Sequence, residues 1–126
     1  MTVYNPDHPD ALVSRLTNPV TDLLVVCYCA AWCDTCRSYQ EDFDAVAAQW
    51  PDHPFIWIDI EEHPELLGDE DVENFPTILL QNRRGNVFFG EQLPYRGHLD
   101  RLIKEFEASG QTFADGPPSL YEALAA

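Results

Sequence analysis

The sequence predicts an α/β domain, and three observations predict it. Strand-length apolar runs at 23–29 and 55–60 alternate with a stretch of helical period at 34–50. Two further strand-like runs flank a short Gly-containing loop between 77 and 89. An amphipathic stretch at 99–106 then closes an order of alternating units followed by a hairpin and a covering helix. With 126 residues, 45% hydrophobic and 12% aromatic, the chain has material for one core, and intrinsic disorder is excluded.

Asp7 or Asp10 caps a predicted short helix through Ala11–Leu16, which Pro19 stops. Leu23-Leu24-Val25-Val26-Cys27-Tyr28-Cys29 is almost continuously apolar, the pattern of a strand buried on both faces. From Asp34 to Trp50, residues Tyr39, Phe43, Val46, Ala47 and Trp50 recur at intervals of three and four. They mark one helical face, which Pro51 ends. Phe55–Ile60 reads as a second buried strand. Residues 59–73 carry acidic side chains and no Lys or Arg, which predicts a solvated helical connection. Thr77–Gln81 and Val87–Phe89, joined through Asn82–Asn86 with Gly85, predict an antiparallel hairpin. Leu99, Leu102, Ile103 and Phe106 mark the last helix. The composition changes after 109, so 1–109 is taken as the domain and 110–126 as a tail. There Gly116-Pro117-Pro118 breaks the chain and Ser119-Leu120-Tyr121-Glu122 has capping-box spacing. So short a helix is marginal alone, so it docks or frays.

Seven Lys and Arg against twenty-two Asp and Glu give a formal net charge of −15. That field repels phosphate backbones and anionic lipid, which argues against nucleic-acid and membrane-surface roles. No apolar run approaches the roughly 20 residues that span a bilayer. The first ten residues lack the basic and apolar regions of a signal peptide, so a cytoplasmic protein is expected. His8, His53, His63 and His98 are scattered and read as surface or loop residues. The four cysteines are not scattered: Cys27, Cys29, Cys33 and Cys36 lie within one short segment. A disulfide framework staples distant segments, whereas clustered thiols point to redox chemistry or metal binding.

Trp32-Cys33-Asp34-Thr35-Cys36 falls where the first buried strand hands over to the long helix. The first cysteine of a C-x-x-C across such a junction lies at the helix start, where unpaired N–H groups and the macrodipole favour a thiolate. The second lies one turn on, near enough to close a small disulfide ring. A lone C-x-x-C is equally half a zinc site; the strand–helix setting is what favours thiol–disulfide exchange here. Asp34 sets a carboxylate beside the first thiol and opposes its negative form.

Ala30-Ala31-Trp32-Cys33-Asp34-Thr35-Cys36 resembles the active-site segment of the thioredoxin family, and Phe75-Pro76-Thr77 resembles its second signature. Gly85 matches the hairpin turn, and the likeness covers roughly residues 10 to 106 by order of elements. The resemblance implies a thioredoxin fold, a central mixed β-sheet flanked by helices on both faces. It implies that Cys33 attacks and Cys36 resolves, with a redox-active Cys33–Cys36 disulfide, no other cofactor and no metal. Trp32 would shield the dithiol, and a cis Pro76 would present the backbone of Phe75 to an extended substrate segment. Protein disulfides and a recycling reductase or reductant are the implied partners, met by a monomer. The sequence departs from the family at several places. Cys27 stands where a buried Asp is usual, Trp57 where its Lys partner is usual, and Cys29 where an aromatic is usual. Glu41 replaces the proline that kinks the long helix, and Asp34-Thr35 replaces Gly-Pro.

Two other readings compete. A C-x-C-x3-C-x2-C set offers four thiolates to zinc, copper(I) or an iron–sulfur cluster, although Cys27 and Cys29 lie in an apolar strand instead of a loop. A non-catalytic binding module on the same scaffold is the other. Residues 27 and 29 share a strand face that should abut the start of the long helix. They are read as inert buried thiols, with a thiol that accepts a disulfide from Cys36 as the alternative.

Overall fold

Nothing polar interrupts the first apolar run, and it lies at the centre of the sheet. All six residues of strand β2 (Leu24–Cys29) are buried. This computed structural model describes residues 3–4, 23–30, 32–51, 53–68, 76–82, 84–92, 95–106, 112–113 and 116–120. Strands β1 (Val3–Tyr4), β3 (Phe55–Asp59), β4 (Thr77–Asn82) and β5 (Gly85–Glu91) join β2 in one sheet of order β1-β3-β2-β4-β5. β3 runs parallel to β1 and β2, while β4 is antiparallel to both β2 and β5, so the sheet is mixed. Cys27 pairs with Trp57 on one side and Ile78 on the other. β1 was not predicted, because two residues are too few to show a period.

Alternation along β2 sorts its side chains between two cores. Leu23, Val25, Cys27 and Cys29 face helices α1 (Asp34–Gln49) and α2 (Arg96–Phe106), which contribute Cys36, Tyr39, Phe43 and Val46, and Leu99 and Ile103. Leu24, Val26 and Tyr28 face the other way, onto Ile56, Ile58, Leu79, Leu66, Leu67 and Leu120. Among the described residues both α-helices therefore pack on one face. The helix predicted at Ala11–Leu16 lies outside the described residues. α1 runs unbroken for 16 residues, as expected with Glu41 in place of a kinking proline, and stops at Trp50 before Pro51. Two polar links tie α1 to α2. The Trp50 indole donates to Asp100 Oδ1 at 2.9 Å, and Arg96 Nη2 lies 2.9 Å from Asp42 Oδ1.

The acidic connection departs from its predicted form. Where it is described it holds only a single 3₁₀ turn, Pro64–Leu66, bounded by proline at its start and by Gly68 at φ +73°. Residues 69–75 lie outside the described residues. The hairpin strands reach closer to their turn than predicted, because Asn82 Oδ1 accepts the N–H groups of Arg84 at 2.8 Å and Gly85 at 3.0 Å. A register shift between Leu80 and Gln81 brings Gln81 opposite Asn86. Those two buried amides hold the chain beyond α2. Asn86 Nδ2 donates to Pro117 O, Gln81 Nε2 donates to Pro118 O, and Gln81 Oε1 accepts from Leu120 N–H. Phe113 adds a backbone bridge to Asn86, and Leu120 is fully buried in the second core.

Candidate active site

β2 ends at Cys29 and the chain turns at once, with Cys33 N–H donating to Ala30 O at 3.0 Å. Cys33 then takes the N-cap position of α1 in an extended conformation, φ −87° and ψ 117°. Its carbonyl accepts the Arg37 N–H at 3.2 Å, but no side chain caps the helix. The first N–H groups of α1 thus remain available to a negative sulfur beside them. Cys33 is a free, half-buried thiol packed against the first core.

Cys36 lies three residues on, and its side chain points the other way. It heads the inward face continued by Tyr39 and Phe43 and is 1% exposed. Cys29, also 1% exposed, faces it from the strand below, and the two form a disulfide with Cα atoms 5.8 Å apart. The Cys33–Cys36 disulfide implied by the family resemblance is therefore not the pairing present. The physical reason is direction: Cys33 sits at the rim as the cap, whereas Cys36 and Cys29 point into the same core. The reading of Cys29 as an inert thiol is corrected by the same bond. The signal was present in sequence, since Cys36 stands at i−3 from Tyr39 and Cys29 on the inward face of β2.

Cys27 remains a free, fully buried thiol with its sulfur 3.5 Å from that of Cys29. A disulfide sulfur carries no hydrogen, so in this state the S–H of Cys27 is the donor. Burial pushes the Cys27 thiol well above the ordinary range and keeps it neutral. The site thus has no carboxylate at position 27, as the sequence departure indicates. Asp59, opposite Cys29 in the register, accepts the Glu61 N–H at 2.8 Å and closes the turn after β3.

The flanking residues are arranged around Cys33. Trp32 is 63% exposed, and its indole N–H donates to the Glu61 carboxylate. Asp34 is exposed and forms an ion pair with Arg37. Pro76 is buried at the entrance to β4, where its carbonyl accepts the Gln92 N–H at 3.1 Å. Tyr28 pairs with Thr77, so the antiparallel register carried one residue further sets Pro76 alongside Cys29. Phe75 lies outside the described residues. Along α1, Asp34, Thr35, Ser38, Tyr39 and Asp42 line a groove of about 340 Å³. The buried Tyr39 hydroxyl has no hydrogen-bond partner there, and burial, Cys27 and Asp42 all push its ionisation up. Among the described residues no group of three or more His, Cys, Asp or Glu side chains is placed to hold a metal ion.

Comparison with known proteins gives a consistent result. The family model described as Thioredoxin matches residues 8–104. A thioredoxin of Ophiophagus hannah is 27% identical over 95 residues, covering 74% of this chain and 88% of that one. Thioredoxin H5 of Oryza sativa subsp. japonica is 30% identical over 99 residues, covering 79% of this chain and 66% of that protein. Among solved structures, oxidised thioredoxin from Plasmodium falciparum superposes with a TM-score of 0.66 at 20% identity, over 84% of this chain and 99% of that one. Thioredoxin NaTrxh from Nicotiana alata gives 0.65 at 22%, over 83% and 92%. At such identities these structures establish the fold, a thioredoxin fold.

Proposed function

The chain belongs to the thioredoxin family and is a thiol–disulfide oxidoreductase, and we propose that it reduces protein disulfides with Cys33 as nucleophile and Cys36 as resolving thiol. One observation carries these roles. Cys33 is the half-buried thiol at an uncapped helix N-terminus, and the Cys36 sulfur one turn on is buried. In the reduced protein the Cys33 thiolate attacks one sulfur of a substrate disulfide, forming a mixed disulfide and expelling the other substrate sulfur as a thiolate. Cys36 then attacks the Cys33 sulfur and releases the second substrate thiolate. The substrate has gained two electrons and two protons and the protein dithiol has lost the same, the protons of Cys33 and Cys36 passing through solvent to the released substrate thiolates.

Trp32, Phe75 and Pro76 are proposed to form the substrate-facing surface, with Pro76 cis and the Phe75 backbone pairing with an extended substrate segment. Pro76 has the position for this, beside the end of β2, and Trp32 has the exposure. Asp34 and Cys27 are proposed to modulate the dithiol, the first by its charge and the second by withholding a base. No cofactor beyond the cysteines is invoked. A cytoplasmic monomer recycled by a reductase or small reductant completes the reading, supported by cysteines that are clustered and not spread as a disulfide framework, the pattern that suits a reducing compartment. The test is insulin reduction with dithiothreitol as donor. Wild-type protein is expected to accelerate precipitation of the insulin B chain, and Cys33→Ser to fall to the uncatalysed rate. Activity retained in Cys33→Ser and lost in Cys27→Ser would refute the assignment.

A further inference from the structure

We propose that Cys29 is a third redox-active cysteine, which takes Cys36 from Cys33 after each substrate is released and buries the oxidation as Cys29–Cys36. The proposal rests on the roles assigned above to Cys33 and Cys36 and adds a step to them. Its basis is the set of four sulfurs taken together. Cys36 is bonded to Cys29, Cys33 is free at the rim, and Cys27 is free within 3.5 Å of the Cys29 sulfur. Cys29 bonds Cys36 from the strand beneath, and Cys33 stands at the helix N-cap three residues before Cys36. Cys29 lies in the same apolar cluster as Cys36, and Cys33 packs against that cluster.

The step is an internal exchange that needs no outside oxidant. The Cys29 thiolate attacks the Cys36 sulfur of Cys33–Cys36, the Cys29–Cys36 bond forms, and Cys33 leaves as a thiolate. One disulfide is broken and one is made, so the oxidation state of the protein is unchanged. Cys27 assists as a positioning residue, its S–H directed at the Cys29 sulfur, where it stabilises negative charge before the attack. The product differs in accessibility from the disulfide it replaces. Both bonded sulfurs belong to residues 1% exposed, and the half-buried Cys33 is again a thiol. An external dithiol reaches the buried bond only by the reverse exchange, through Cys33. The oxidised protein therefore presents a single thiol able to capture a second partner, with its resolving cysteine engaged elsewhere.

The test uses the full chain, fully reduced, freed of reductant and given one equivalent of a cystine-bridged peptide. The product is alkylated briefly under native conditions, then unfolded in acid and digested for disulfide mapping. The expected result is one label per chain, on Cys33, and a Cys29–Cys36 bond in the digest. Cys29→Ala treated alike should carry no native label and should map to Cys33–Cys36. Wild-type protein that stays unlabelled and maps to Cys33–Cys36 overturns the relay, and that measurement stands even if the variant does not fold. Cys33→Ser that oxidises with the peptide at the wild-type rate overturns the role of Cys33 itself, and the relay with it. Loss of peptide reduction in Cys33→Ser beside a wild-type Cys33–Cys36 map overturns the relay alone.

Discussion

Position 27 is a place where charge is costly. Its side chain is fully buried between Trp57 and Ile78 in the register, with the Cys29 sulfur 3.5 Å from its own. Cys27→Asp is expected to lower stability by at least about 2 kcal/mol, since a carboxylate there loses its hydration without a cation to replace it. The same variant should release mixed disulfides faster, because it restores a base beside the resolving thiol; denaturant midpoint and single-turnover release read the two effects separately. Unchanged release would show that the missing acid does not limit resolution. At Asp34 the effect has the opposite character, since the residue is exposed and paired with Arg37. Asp34→Asn should speed alkylation of Cys33 at about pH 7, by no more than roughly fivefold, the equivalent of the ~1 kcal/mol available to a surface charge. A slower rate in Asp34→Asn would contradict the repulsion. The motif that identifies Cys33 was legible in sequence, whereas for the partner of Cys36 the sequence offered the shared inward face of Cys29 and Cys36 without deciding between Cys29 and Cys33. C-x-x-C spacing says which cysteines are near along the chain, whereas the direction of each side chain decides which sulfurs meet.

The elements that build the site are those with the strongest patterns. β2 reads as a central strand because it is apolar throughout, and α1 reads as a helix because Tyr39, Phe43, Val46 and Ala47 hold one face. β1 and the 3₁₀ turn escaped the sequence because neither is longer than a single period, so no repeat shows. The tail was legible only as a break in composition, since its anchors are on another element. Gln81 and Asn86 sit in the hairpin and bind the backbone of 117–120, a contact between residues 31 to 39 positions apart. We propose that residues 112–113 and 116–120 form a closing strap on the domain that precedes them, although the composition there differs. Gln81→Leu should then cost about 1–3 kcal/mol, because it strands the buried Leu120 N–H and the Pro118 carbonyl. Limited proteolysis should cut first beyond residue 109 in that variant. Cleavage no faster than in wild type would refute the strap.

At the scale of the molecule, charge and burial set how the protein responds to solution conditions. A net charge of −15 favours basic substrate segments, so a cationic cystine peptide should be reduced faster than an anionic one at low salt. The ratio should shrink towards one as ionic strength rises to about 1 M, where the screening length falls to about 3 Å. Alkaline stability has a defined sign. Burial raises the Cys27 thiol, so the unfolded chain gives up that proton first. Stability is complete below the ordinary thiol range near about 8.5 and declines as pH rises above it; Tyr28 and Tyr39, also raised by burial, add the same sign above about 10. The midpoint of thermal unfolding should fall between about pH 8 and 10, and Cys27→Ala should flatten the first part of that fall. The central claim is that substrates meet this protein at Cys33 and nowhere else, and the most direct measurement is the site of a trapped mixed disulfide. Reduced Cys36→Ser is mixed with a cystine-bridged peptide, quenched in acid and mapped. The account predicts a peptide adduct on Cys33 that persists, and an adduct on Cys27 or Cys29, or none at all, would contradict it.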